Sequence, residues 1–225
     1  MSRKNDKTPH SRKLDATGPL VVGLTGGVGS GKSLVARQAV ELGAALIDVD
    51  RLASDLIAQD TGILQSLQLA FGPDILTEAG KLRRPVLAER AFMNEASTLQ
   101  LNSIVWPTLL RRLTAVVAEQ RQTATQRIVI VDMAVLFEAG AQNCFDHIAV
   151  VVAPAQKRMQ WLMADRGWSK EEARRRMDAQ WSDEEKRMRS HSVINNNGRC
   201  EDLIGKVRLW VEKIEASPSS KRLIF

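Results

Sequence analysis

Five short apolar runs punctuate the chain, at residues 20–24, 45–47, 128–131, 148–152 and 193–194. Each is continuous rather than alternating. Each ends in polar or turn residues: glycines after Leu24, then Asp48-Val49-Asp50, Asp132, Ala153-Pro154 and Asn195-Asn196-Asn197-Gly198. A strand covered on both faces has no need of polar positions, so the pattern predicts a parallel sheet buried under helices. Helix-patterned segments separate the runs, which makes the chain an alternating α/β fold. The first helix is expected to begin at Ser33, with Gly43 as its C-cap.

Two intervals are too long for plain crossovers. Residues 51–126 contain several helices, with breaks expected near Gly72-Pro73, Gly80 and Trp106-Pro107. Residues 154–191 are helical and rich in Arg; Glu171–Arg175 and Glu172–Arg176 have the i,i+4 spacing of a solvated face. Such inserts commonly close over the C-terminal edge of the sheet. The expected division is a basic, disordered tail at 1–19, one domain at 20–215 and a C-terminal tail at 216–225. Within the domain, 20–50, 127–153 and 192–215 form the core.

Gly26 to Ser33 reads GGVGSGKS, which matches G-x-x-x-x-G-K-[ST] between a predicted strand and a predicted helix. Small residues let successive N–H groups converge on phosphate oxygens, and the helix N-terminus adds a positive dipole. Gly27, Val28, Gly29, Ser30, Gly31, Lys32, Ser33 and Leu34 are therefore expected around the phosphates of a nucleoside triphosphate. Lys32 is expected to reach the β- and γ-phosphates, and Ser33 to ligate Mg²⁺. A GTPase would need further parts: there is no NKxD, and Asp132-Met133-Ala134-Val135 is not DxxG. A small-molecule kinase fits better, with 51–126 binding the acceptor and 154–191 acting as lid.

Composition narrows the partners. In 225 residues, 32 Lys and Arg oppose 26 Asp and Glu, a net charge of +6. Half of that excess lies in the first 19 residues, and the lid arginines alternate with acids, so no continuous cationic stripe for nucleic acid is expected. No apolar run is long enough to cross a bilayer, and the first 18 residues have no apolar core of a secretory signal. Two cysteines without zinc spacing, Cys144 and Cys200, suit a reducing, cytoplasmic compartment and read as buried or idle thiols. Five Trp and no Tyr suggest core filling at Trp106 and Trp210.

LTGGVGSGKS, LIDVDRLA, LRR at 82–84, VLFE at 135–138 and VINNNG at 193–198 resemble, in order and spacing, the dephospho-coenzyme A kinases. The resemblance covers residues 20–205. It implies a five-stranded parallel sheet of order 2-3-1-4-5, flanked by helices and carrying a helical acceptor-binding insert and a helical lid. It implies transfer of phosphate from ATP, with Mg²⁺, to the ribose 3′-hydroxyl of dephospho-coenzyme A. Asp50 then matches the proposed base and Asp48 the Asp before it. Arg83, Arg84 and Glu138 match acceptor-side positions, Asp132 the Asp that ends the third strand, and Asn197-Gly198 the adenine site. Arg158 and Arg166 are the two candidates for the lid arginine at the transferring phosphate. Ser54, Trp106, Ala134, Trp161 and Asp165-Arg166 depart from the family pattern.

The residues alone leave two roles open. Asp50 is either the base or the cap of a helix starting at Arg51, and Asp132 either a water-mediated hold on Mg²⁺ or an ordinary strand-end residue. Another small-molecule or nucleoside monophosphate kinase is the alternative, and a nucleic-acid-binding ATPase a more distant one. A monomer or small homo-oligomer, with no membrane partner, is expected.

Overall fold

The computed structural model describes residues 18–216 and 223–225; the expected disorder of the first 17 residues lies outside them. β1 (Leu20–Gly26) is central, and every residue in it is buried. β2 (Ala45–Asp48), β3 (Ile128–Asp132), β4 (His147–Val152) and β5 (Ser192–Asn195) join it in the order β2-β3-β1-β4-β5, all parallel. The predicted order and direction are both present. A sixth strand, β6 (Leu223–Ile224), extends the sheet beyond the predicted five by pairing in parallel with β5. It falls within the segment expected as a C-terminal tail.

Side chains of β1 alternate between two cores, as a pleated strand requires. Val22 and Leu24 pack with Ile130 and Val151 against α1 (Lys32–Glu41) and α9 (Cys200–Ala216), whose Trp210 is fully buried. Val21 faces the other way, with Val129 and Val131, against the insert. That insert contains α2 (Val49–Gln59), α3 (Thr61–Phe71), α4 (Arg84–Ala91) and α5 (Glu95–Thr123). The lid contains α6 (Ala155–Arg166), α7 (Lys170–Asp178) and α8 (Asp183–Arg189).

The helix ends follow from local chemistry. α1 stops in a Schellman motif: the N–H groups of Gly43 and Ala44 donate to Val40 O and Ala39 O at 2.9 and 3.0 Å, with Gly43 at φ 101°. Gly72, at φ 98°, ends α3 before a 3₁₀ turn at Pro73–Ile75, and Gly80 turns between the bridged Leu76 and Leu82. The expected break at Trp106-Pro107 is absent, and α5 runs 29 residues straight through Pro107. Val105, Leu109, Leu113 and Val117, all buried at i,i+4 spacing, anchor both sides of that proline. Their burial outweighs the roughly 3 kcal/mol that an interior proline costs. Glu172–Arg176 forms at 3.0 Å, and Arg174–Asp178 is the second i,i+4 pair of α7. Both cysteines are free; neither is fully buried, Cys144 being half-buried and Cys200 exposed at the start of α9.

Candidate active site

Strand register places the site. Asp132 pairs across to both Leu24 and Asp48, so β2 and β3 end level while β1 runs on to Gly26 at the same edge of the sheet. The phosphate loop leaves β1 at that edge, as ligand sites of open parallel sheets do. Lys32 and Ser33 open α1, where backbone N–H groups have no intrahelical acceptor. Ser30 N–H turns back to Gly27 O at 3.0 Å, and Asn196 Nδ2 donates to Ser30 O at 3.0 Å. Gly31 sits at φ 91°, and a Cβ there would strike Asn196 Nδ2, so only glycine fits. Leu34 is half-buried behind the loop, while Ser33 is exposed.

Lys32 Nζ donates to Asp132 Oδ1 in an ion pair. Asp48 caps α2, accepting from Arg51 N–H at 3.0 Å. The cap reading of Asp50 is thereby corrected: α2 begins at Val49, Asp48 is the cap, and Asp50 lies in the first turn without that duty. Asp50 is exposed as a residue, yet the protein around its carboxyl raises its pKa from 3.8, mainly by desolvation. Lys32 opposes that rise, while Asp48 and Asp132 add to it. Asp48, Asp50, Asp132 and Lys32 thus form one electrostatic cluster at the sheet edge.

The other expected residues are less uniform in placement. Arg83 and Arg84, at the start of α4, are exposed, and Arg84 Nη2 donates to Ser54 O at 3.1 Å. Asn197 lines a cavity of about 410 Å³ above the ends of β4 and β5, with Pro154, Asn195 and the lid residues Asp183 and Arg187. Gly198 follows it, exposed. Lys206 Nζ fixes that segment through Asn195 O at 2.7 Å and Asn197 Oδ1 at 3.1 Å. Arg158 is buried against the phosphate loop; its Nε donates to Val28 O at 2.8 Å, and its Nη1 meets Asp183 at 3.0 Å. Arg166, at the far end of α6, is exposed. Glu138 points under the lid, where Oε1 receives Lys186 Nζ and Trp181 N–H, both at 3.0 Å.

Sequence reasoning passed over Gln180, Lys186 and Asn196. Lys186 stands in the charged run DEEKR yet is fully buried, and nothing in that run distinguishes it from its solvated neighbours. Gln180 Oε1 accepts from Val28 N–H at 2.7 Å.

Among the described residues, no group of three or more His, Cys, Asp or Glu could hold a metal by itself. Mg²⁺ shared with phosphates takes one or two protein oxygens and keeps several waters. The Ser33 hydroxyl and the Asp132 carboxylate are oxygen donors of the right hardness, on the two elements that flank the phosphate site.

Residues 20–202 match the family model described as dephospho-CoA kinase. A dephospho-CoA kinase of Corynebacterium diphtheriae is 42% identical over 191 residues, covering 84% of this chain and 95% of that one. A solved protein of Thermus thermophilus superposes with a TM-score of 0.71 at 30% identity, over 88% of this chain and 98% of that one. The structure of a dephospho-CoA kinase from Campylobacter jejuni shares the fold, with a TM-score of 0.65 at 21% identity over 88% and 98% of the two chains. With 183 consecutive residues of the phosphate loop, insert and lid inside one family model, the chain belongs to the dephospho-CoA kinases, ATP-dependent kinases of the final step of coenzyme A biosynthesis.

Proposed function

We propose that this chain carries out its family's reaction through the cluster at the sheet edge, transferring the γ-phosphoryl group of ATP to the ribose 3′-hydroxyl of dephospho-CoA. The products are coenzyme A and ADP. Asp50 orients the acceptor hydroxyl and takes its proton as the new P–O bond forms. Its raised pKa suits that task, because a carboxylate penalised for its charge holds a proton more readily. Lys32 leaves Asp132 to neutralise the β- and γ-phosphates, and the loop amides hold the same oxygens.

Ser33 and Asp132 are the residues that would hold Mg²⁺, which when bound neutralises charge on the phosphates. Arg158 closes the lid side of the loop. Arg166 reaches the transferring group when the lid moves. Asn197 and Gly198 border the adenine space. Arg83, Arg84 and Asp48 meet the acceptor, whose diphosphate suits the exposed guanidinium groups of the first two.

One observation carries the reading: Asp50, free of capping duty, shares its electrostatic surroundings with the phosphate-loop lysine. Release of ADP, measured separately with dephospho-CoA, AMP and RNA, tests it. Stimulation by dephospho-CoA alone is the expected result. Stimulation by AMP would move the chain to nucleoside monophosphate chemistry, and stimulation by RNA would replace the kinase reading.

A further inference from the structure

Two lid side chains hydrogen-bond the phosphate loop at Val28. Val28 donates its N–H to Gln180 Oε1 at 2.7 Å and accepts Arg158 Nε on its C=O at 2.8 Å. Gln180 lies in the link between α7 and α8, 152 positions from Val28 in the chain.

That link is itself bolted down. The next residue, Trp181, donates its N–H to Glu138 Oε1 at 3.0 Å, and its ring stacks on Phe137 with centroids 6.0 Å apart and planes 7° apart. The same oxygen takes the Lys186 ammonium at 3.0 Å. Lys186 is fully buried and donates also to Ala134 O at 3.0 Å, the carbonyl that Thr25 Oγ1 reaches from β1 at 2.9 Å. A continuous polar chain therefore runs from Thr25 through Ala134, Lys186, Glu138, Trp181 and Gln180 back to Val28.

Stability alone does not explain this arrangement. A buried ion pair is often no better for stability than well-packed apolar side chains of the same volume. Here its geometry has a definite output, because it fixes the backbone that carries Gln180. A loop rich in glycine has much conformational freedom to lose when it closes on phosphates. Fixing both polar groups of Val28 removes part of that freedom beforehand, which favours ligand binding.

We infer that Gln180, held in place by the buried Glu138–Lys186 pair, is a positioning residue that presets the phosphate loop for ATP. The inference rests on the ATP-dependent kinase reading. It also gives Glu138 a task on the lid side, where its Oε1 is already occupied.

The test is ATP affinity by calorimetry on the full chain, with Michaelis constants for dephospho-CoA and melting temperatures alongside. Gln180→Leu keeps the size but removes the acceptor. It should weaken ATP about tenfold while leaving the dephospho-CoA constant within about twofold and the melting temperature nearly unchanged. Glu138→Leu with Lys186→Met replaces the pair by apolar groups and keeps the protein folded. It should weaken ATP to a similar degree, because Trp181 N–H loses its acceptor.

The triple variant should bind ATP no worse than Gln180→Leu alone, since residues acting through one contact are not additive. Wild-type ATP affinity in Gln180→Leu, tighter binding in it, or simple additivity in the triple variant would each overturn the inference. Failure of the kinase reading itself would look different: the unaltered protein would release no ADP in response to dephospho-CoA.

Discussion

Lys32, opening α1, and Asp132, closing β3, hold each other in an ion pair at the mouth of the phosphate loop. Their side chains are only 14% and 15% exposed, so the pair is partly shielded from water. Each is proposed to serve a different part of Mg²⁺-ATP: the lysine the phosphates, the aspartate the metal. Nucleotide binding then exchanges one ion pair for two new contacts.

Lys32→Ala should therefore lower kcat/KM by roughly 10²–10³-fold, the loss typical of one removed charge-stabilising donor. Asp132→Asn makes the sharper test. Freed from its partner, Lys32 should bind ATP more tightly in EDTA, while the gain in affinity on adding Mg²⁺ shrinks. Calorimetry with and without the metal reads both effects. Unchanged behaviour in both media would remove Asp132 from the metal and leave it a strand-end residue.

The acidic cluster sets a pH dependence. The Asp50 pKa is raised above 3.8, first by desolvation, and Asp48 raises it further. As a base it must be deprotonated, so activity falls as pH drops through that raised value. Asp48→Asn keeps the cap of α2, since Asn caps as well as Asp, but removes one of the charges. The acid limb of kcat against pH should move to lower pH in this variant. A limb that stays in place would show that another group governs it.

Arg158 and Arg166 should separate by signature. Arg158 is buried between Val28 and Asp183, so Arg158→Ala should weaken ATP and lower the melting temperature together. Arg158→Lys should rescue little, because one ammonium cannot span both partners. Arg166 is exposed, so Arg166→Ala should leave ATP affinity and stability alone and lower kcat. Wild-type kcat in Arg166→Ala would class it as a solvated helix charge.

A second pH effect belongs to stability. His147 is buried at the start of β4, with its Nε2 2.7 Å from Ser192 Oγ. Burial, and after it the neighbouring His191, lowers its pKa from 6.5 to about 4. The unfolded chain takes up a proton near pH 6.5 that the folded chain refuses, so the folded state's advantage is full above that pH and is lost as pH falls toward 4. The whole effect is on the order of 3 kcal/mol. His191, likewise lowered by burial, adds in the same direction. Urea unfolding of His147→Gln should show a flatter stability curve between pH 6.5 and 4, and an unaltered slope would contradict this account.

The sheet was legible because burial on both faces leaves a mark in composition. Residues 128–131 and 148–152 contain almost nothing but Val and Ile. The phosphate loop was legible because its glycines have backbone duties that no other residue meets. Pro107 misled, because the force that keeps α5 intact comes from Leu109, Leu113 and Val117 packing across the domain, which local pattern does not register. Lys186 and Gln180 left no mark: a buried lysine in a charged run becomes visible only when its partner, Glu138, is brought 3.0 Å away by the fold. Which of Asp48 and Asp50 caps α2 depended on where the helix starts, a boundary that sequence fixes only to within a residue or two.

The most direct test is Asp50→Asn, assayed at saturating dephospho-CoA with ATP affinity measured on the same preparation. Asn keeps the size of Asp but removes the charge and the capacity to take the proton. The account predicts a folded protein with near wild-type ATP affinity and a kcat lowered by roughly 10²-fold or more. A fall of only about tenfold would assign Asp50 to orienting the hydroxyl, since a loose transition state needs little help in removing the proton. Full activity in this variant would remove Asp50 from the mechanism and contradict the account.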